Sequence, residues 1–188
     1  YNFFISLIFI CLSFANEYCV GDFISEINQS QTFNVCYPEE FATNNWQLSN
    51  YNGALNGGDY NIILIDLAAT WCEPCYNSID FFEDLELLWH EQSSSVKFIT
   101  ALADIGQPYS CQDWGEVGNS DMPLILEDNG FPGEMYSWFN ESTSSYPRYV
   151  ILDHNMQVRV KTTSFLNNAT TICDGLDEDL GPNLNVII

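Results

Sequence analysis

Apolar positions fall into a few dense runs separated by polar, turn-rich stretches. Asn61 to Leu67 is continuous, β-branched and bounded upstream by Gly57-Gly58, the pattern of a buried strand. Val96 to Ala103 repeats that pattern, and Tyr149 to Leu152 gives a third strand. An Asp153-His154-Asn155 turn then leads to a fourth strand over Gln157 to Thr162, antiparallel to the third. Between the first two strands, Ile79, Phe82, Leu85, Leu88 and Trp89 recur at helical spacing. On that reading Asp80, Glu83, Asp84 and Glu86 face solvent, and one helix runs from about Pro74 to the Ser93-Ser94-Ser95 stop. Short helices are expected near Asp113–Val117 and Gly133–Phe139, and a last helix within 165–180, weakened by Gly175 and Gly181. Strand, helix, strand, irregular region and hairpin predict an α/β class, a central mixed sheet flanked by helices.

The N-terminus has a different pattern. Phe3 to Phe14 is almost wholly apolar and is followed at once by Asn16 and Glu17. A dozen residues falls short of the roughly 20 that a spanning helix needs. Ser13-Phe14-Ala15 supplies small residues for cleavage after Ala15, so residues 1–15 are expected to be an export leader. No basic residue and no Met precede the apolar run, so the leader is expected to be incomplete at its start. Residues 16–45 read as an N-terminal extension, 46–175 as the main domain with an insertion at about 105–145, and 176–188 as an acidic, solvated tail.

Setting the leader's Cys11 aside leaves Cys19, Cys36, Cys72, Cys75, Cys111 and Cys173. An even set after a leader points to an oxidising compartment, periplasmic, extracellular or luminal. Cys72 and Cys75 belong together by spacing. The other four are candidates for structural disulfides and allow three connectivities. The expected one is Cys19–Cys36, stapling the extension, with Cys111–Cys173 tying the insertion to the C-terminus.

Trp71-Cys72-Glu73-Pro74-Cys75 carries the chemistry. Two cysteines separated by two residues at a helix start can close and reopen a small disulfide ring. Unpaired N–H groups and the positive end of the helix dipole stabilise a thiolate there. Cys72 at the helix entrance is the expected exposed nucleophile, and Cys75, one turn further in, the resolving thiol. Pro74 constrains the turn without removing a needed hydrogen bond. Glu73 places a carboxylate beside the nucleophile, which opposes thiolate formation by about 1 kcal/mol and gives the couple a more reducing character. Asp66, inside an apolar strand, is expensive to bury as a charge, so its pKa should rise into the range of a proton shuttle.

The strand Ile62–Leu67 leading into Ala69-Thr70-Trp71-Cys72-Glu73-Pro74-Cys75 and an amphipathic helix resembles the thioredoxin-like fold. With the N-terminal extension, it is most similar to exported TlpA/ResA-type redoxins. The resemblance covers roughly residues 46–104 and 146–175. It implies a thiol–disulfide oxidoreductase acting on protein thiols and disulfides together with a redox partner protein, and no cofactor. It also implies that Asp66 is the buried carboxylate beside the resolving cysteine. Pro147 would be the cis-proline facing the site, and Trp71 and Tyr146 would contact an extended substrate strand. No lysine accompanies Asp66, since the matching strand offers Thr100 and Ala101.

Other classes fit less well. Zinc needs a second ligand pair, and His90 and His154 stand alone. A peroxidase would have its threonine three positions before the reactive cysteine, whereas Thr70 precedes Cys72 by two. A non-enzymatic copper-binding or partner-binding module is the alternative, because two thiolates suit Cu(I). The chain carries 26 acidic residues against 4 basic ones, a net charge of −22, which disfavours nucleic acid and anionic membrane surfaces. At 46% hydrophobic and 15% aromatic, it nonetheless has the apolar content to fold.

Overall fold

The computed structural model describes residues 17–119, 123–130, 132–140, 145–163, 170–173 and 176–179. The expected leader and residues 180–188 of the expected tail lie outside them. In chain order the elements are α1 (Glu26–Gln29), β1 (Phe33–Tyr37), β2 (Thr43–Trp46), α2 (Gly53–Asn56), β3 (Ile62–Ala69), α3 (Glu73–Tyr76), α4 (Ile79–Gln92) and β4 (Val96–Ala103). Then follow α5 (Cys111–Gly115), β5 (Leu124–Glu127), α6 (Glu134–Trp138), β6 (Arg148–Leu152), β7 (Val158–Thr162), β8 (Thr170–Cys173) and β9 (Leu176–Asp179).

Seven strands form one mixed sheet in the order β2-β1-β5-β4-β3-β6-β7. β3 runs parallel to β4, β4 parallel to β5, and the remaining pairs are antiparallel. The apolar strand β3 lies inside the sheet, between β4 and β6, with both of its faces covered. Ile63, Ile65 and Leu67 pack on one face with Trp138, Phe139 and Val150. Leu64 packs on the other with Phe82 of α4 and Phe98. Side chains alternate along a strand, so Asp66 shares the face of Leu64 and points beneath α4.

Four expectations change. The stretch read as an extension supplies β1 and β2, and the stretch read as an insertion supplies β5, all within the central sheet. The single helix after the motif is two: α3 ends at Tyr76 and α4 begins at Ile79. Ser78 causes the break. Its hydroxyl donates to the Cys75 carbonyl at 2.9 Å, competing with the helical ladder, and accepts the Tyr149 hydroxyl at 3.0 Å. The helix expected in 165–180 gives way to antiparallel β8 and β9, as the β-branched run Thr170-Thr171-Ile172 favours. Finally, the inward stripe of α4 is Ile79, Phe82, Glu83 and Glu86, so two carboxylates read as solvent-facing are buried at 3% and 5% exposure. Leu87 and Leu88 are exposed instead.

Two of the four cations are also internal. Arg148 donates to the Phe139 carbonyl and lies over the Tyr136 ring, and Lys161 donates to the Tyr18 carbonyl at 3.1 Å.

Candidate functional site

The site forms where β3 runs out. Ala69 ends the strand, Thr70 donates its hydroxyl to the Asp104 carbonyl at 2.6 Å, and the chain turns into α3. Cys72 takes the N-cap position, its sulfur accepting the Cys75 N–H at 3.2 Å. The two sulfurs form a disulfide across three residues of sequence. Cys72, expected to be exposed, is 3% exposed, and Cys75 is fully buried. In the closed ring both belong to a cluster with Ala68, Ala69 and Ile79, against which Tyr146 and Tyr76 pack. Trp71, 48% exposed, and the exposed Glu73 and Pro74 are the solvent-facing part of the motif.

Opposite them, the Tyr146–Pro147 peptide bond is cis. Tyr146 meets Trp71 edge to face at 5.7 Å and stacks on Tyr136 at 4.2 Å. Its hydroxyl accepts the Gly133 N–H at 3.3 Å, and burial holds its pKa above the usual phenol range. Asp128 fixes that side of the site. Its carboxylate accepts the Met135 and Tyr136 N–H groups of α6 at 2.7 and 3.0 Å, while burial pushes its pKa up to about 6. Residue 133 must be glycine here, because a Cβ would stand 2.0 Å from Asp128 Oδ2.

Asp66 is 4% exposed, in register with Thr100 on β4 and Tyr149 on β6. Its Oδ1 is buried without a hydrogen-bond partner, and burial alone pushes the carboxyl pKa up to about 7. It opens on a cavity with about 10 Å³ of room for a water centre. Ile79, Trp114 and Ile125 line that cavity and also belong to the cluster around Cys75. The structure thus brings Asp66, Cys72, Cys75, Trp71, Tyr146 and Pro147 to one end of the sheet.

The remaining cysteines do not pair as expected. Cys36 of β1 bonds to Cys111 of α5, which excludes both Cys19–Cys36 and Cys111–Cys173. The reason is topological: β1 pairs with β5, next to which α5 packs, so residues 75 apart in sequence become neighbours. Cys19 is disulfide-bonded too, and the Cys173 side chain lies outside the described residues. Cys36 and Cys111 join the same apolar cluster as the motif, with Tyr76 and Tyr109 stacked at 5.1 Å and Trp114 edge-on to both. Nothing in the sequence pattern pointed to this aromatic trio.

Among the described residues, no group of three or more His, Cys, Asp or Glu could hold a metal ion, and no helix is long and apolar enough to cross a membrane. His154 faces Tyr60 edge-on at 6.1 Å, and His90 lies 3.6 Å from Glu86.

No family model and no curated protein matches the sequence. Solved structures do match the fold. A putative protein disulfide isomerase from Bacteroides thetaiotaomicron aligns with a TM-score of 0.55 at 14% identity, over 78% of this chain and 79% of that one. A thiol:disulfide interchange protein of the thioredoxin family from Chlorobium tepidum gives 0.51 at 12% identity, over 73% and 86%. A secreted disulfide oxidoreductase from Mycobacterium tuberculosis gives 0.52 at 9% identity, over 74% and 87%. The chain has the thioredoxin-like fold, with its cysteine pair at the N-terminus of the helix that follows the central strand.

Proposed function

We propose that this protein is an exported thiol–disulfide oxidoreductase that reduces or exchanges disulfides of protein substrates through Cys72 and Cys75. The observation that carries the reading is a closed Cys72–Cys75 ring at a helix start, with the cis Tyr146–Pro147 bond alongside and buried Asp66 behind. In the reducing direction the Cys72 thiolate attacks a substrate disulfide, forming a mixed disulfide and releasing one substrate thiolate. Cys75 gives its proton toward Asp66, and its sulfur attacks Cys72. The Cys72–Cys75 bond forms, the bond to substrate breaks, and two electrons have passed to the substrate. A carboxyl with a pKa near 7 accepts and returns that proton at neutral pH, where an ordinary aspartate would hold it poorly.

Trp71 and the backbone around Tyr146 would receive an extended substrate segment. Glu73 would keep the couple reducing. The Cys36–Cys111 bond and the apolar leader pattern support export. So does the description of one fold relative as secreted.

The test is reduction of insulin disulfides by the prereduced protein, with Cys72→Ser and Cys75→Ala variants. Wild-type turnover is expected, with none from Cys72→Ser and a trapped mixed disulfide from Cys75→Ala. Wild-type activity equal to that of Cys72→Ser would overturn the reading, and stoichiometric Cu(I) binding lost with either cysteine would favour the carrier alternative.

A further inference from the structure

Three titratable groups on α4 have no part in the chemistry so far. Glu83, 3% exposed, lines the same cavity as Asp66, with Thr100 as the other polar wall. Its Oε2 accepts the Asn119 N–H at 2.8 Å. The neighbouring Gly118 backbone closes over it so tightly that a Cβ there would stand 1.9 Å from Oε1. Glu86, three residues on, is 5% exposed with Oε2 buried and without a hydrogen-bond partner. Its Oε1 lies 3.6 Å from Nε2 of His90, whose side chain is 38% exposed. Positions 83, 86 and 90 follow one face of a helix, since residues three and four apart are neighbours. A row of proton-binding groups therefore runs from the Asp66 cavity to solvent at the far end of α4.

Resting on the thiol–disulfide reading above, we propose that Glu83 is the proton partner of Asp66: a water in their shared cavity passes the Cys75 proton from Asp66 to Glu83, and Glu86 and His90 carry it to solvent. The cavity has room for one water, with the Asp66 and Glu83 carboxylates and the Thr100 hydroxyl as polar partners. The other exit is poor, because the closed ring seals the motif end with Cys72 at 3% and Cys75 at 0% exposure. Asp66 and Glu83 face one desolvated cavity, so a proton taken up by the first can cross the water to the second when Glu83 is ionised.

The step balances. The Cys75 thiol proton goes to Asp66, and the Cys75 electron pair becomes the bond to Cys72. The pair of the broken Cys72–substrate bond leaves on the substrate sulfur, which is protonated from bulk water. The water takes the proton from Asp66 and releases one to Glu83. Burial, then the proximity of Glu83, push Glu86 up to about 8 against an opposing effect of Lys97, so it too exchanges protons near neutrality. The groups facing this path are Tyr149 of β6 beside Asp66, Lys97 of β4 beside Glu86 and His90, and the cysteine pair itself. Glu83 acts through Asp66 and does not touch sulfur.

The experiment is single-turnover oxidation of the prereduced full chain by a peptide disulfide, followed by tryptophan fluorescence between about pH 5 and 9. Glu83→Gln keeps the side-chain volume and an acceptor for the Asn119 N–H but cannot carry the proton. It is expected to slow the Cys75-dependent resolution step roughly tenfold at neutral pH and to change its pH profile, because one titrating group on the proton path is gone. Glu83→Asp should recover much of the rate, and Glu86→Gln should slow it less. Unchanged rate and pH profile in Glu83→Gln would overturn the proposal, as would slowing by the same factor at every pH, the mark of a purely structural role. A wild-type protein that does not react at all would sink the thiol–disulfide reading instead. If Glu83→Gln does not fold, carboxyl carbon NMR of the wild type decides: coupled two-step titration of Asp66 and Glu83 supports the proposal, and independent titrations overturn it.

Discussion

The two disulfides that meet in one apolar cluster do opposite work. Cys72–Cys75 closes a loop with a sequence separation of 3, and Cys36–Cys111 closes one of 75. Chain entropy makes the long closure worth about 4–5 kcal/mol against unfolding and the short one about 1–2. Opening the motif ring therefore costs the fold little, which suits the proposed exchange chemistry. The Cys36–Cys111 bond ties β1, paired on both sides within the sheet, to the helix carrying Trp114, and its loss would loosen the wall behind the motif. Sulfurs in one cluster can thus carry very different stability, set by the length of chain between them.

The sharpest way to break this contrast is chemical. Cys72→Ser should lower disulfide exchange by about a thousandfold or more while costing no more than about 1–2 kcal/mol of stability. Exchange lost equally with Cys36→Ser would make both bonds redox-active and erase the distinction.

Asp66 gives the next effect, because the reactive end also carries a buried carboxylate. Its pKa is 3.8 when unperturbed and about 7 when folded. Between those values the folded state holds more protons than the unfolded one, so stability falls as pH rises from about 4 to 7 and then levels off. Asp66→Asn should remove that slope, adding up to about 4 kcal/mol at pH 8, while slowing resolution of the mixed disulfide. Urea unfolding at pH 4 and pH 8 reads this directly; a slope unchanged in Asp66→Asn would mean that the carboxylate is solvated.

Removing the long bond with Cys36→Ala and Cys111→Ala should cost about 4 kcal/mol, a Tm drop of roughly 10 °C for a chain of this size, against under about 2 kcal/mol for the Cys72→Ala and Cys75→Ala pair. Equal losses would refute the entropic account. Smallest is Tyr149→Phe, which removes the hydroxyl that Ser78 accepts at the break between α3 and α4. It should cost about 1 kcal/mol.

Much of the fold was legible because its inner strands are continuous apolar runs. The expected strand over Val96 to Ala103 is β4 itself, and the runs at Asn61–Leu67 and Tyr149–Leu152 fall within a residue or two of β3 and β6. Strands β1 and β5 were not legible. Phe33, Val35 and Tyr37 alternate over only five residues in polar surroundings, and Leu124–Glu127 is four residues long, so neither stands out without a neighbour to pair with. On α4 the pattern misled, because Leu85, Leu88 and Trp89 outweigh Glu83 and Glu86 in any hydrophobic periodicity. The site divides in the same way: the cysteine pair and Asp66 were visible in their own short segments, and the cavity joining Asp66 to Glu83 was not.

The sequence by itself determined what short-range covalent geometry controls: two sulfurs one helical turn apart, a proline leading into a strand, and an aspartate among β-branched residues. Only the tertiary structure decided that Cys36 meets Cys111, that Glu83 and Glu86 turn inward, and that a water-sized cavity lies between β3 and α4. Those features depend on where segments tens of residues apart come to rest against one another, and sheet order and helix rotation set that, which no local pattern encodes.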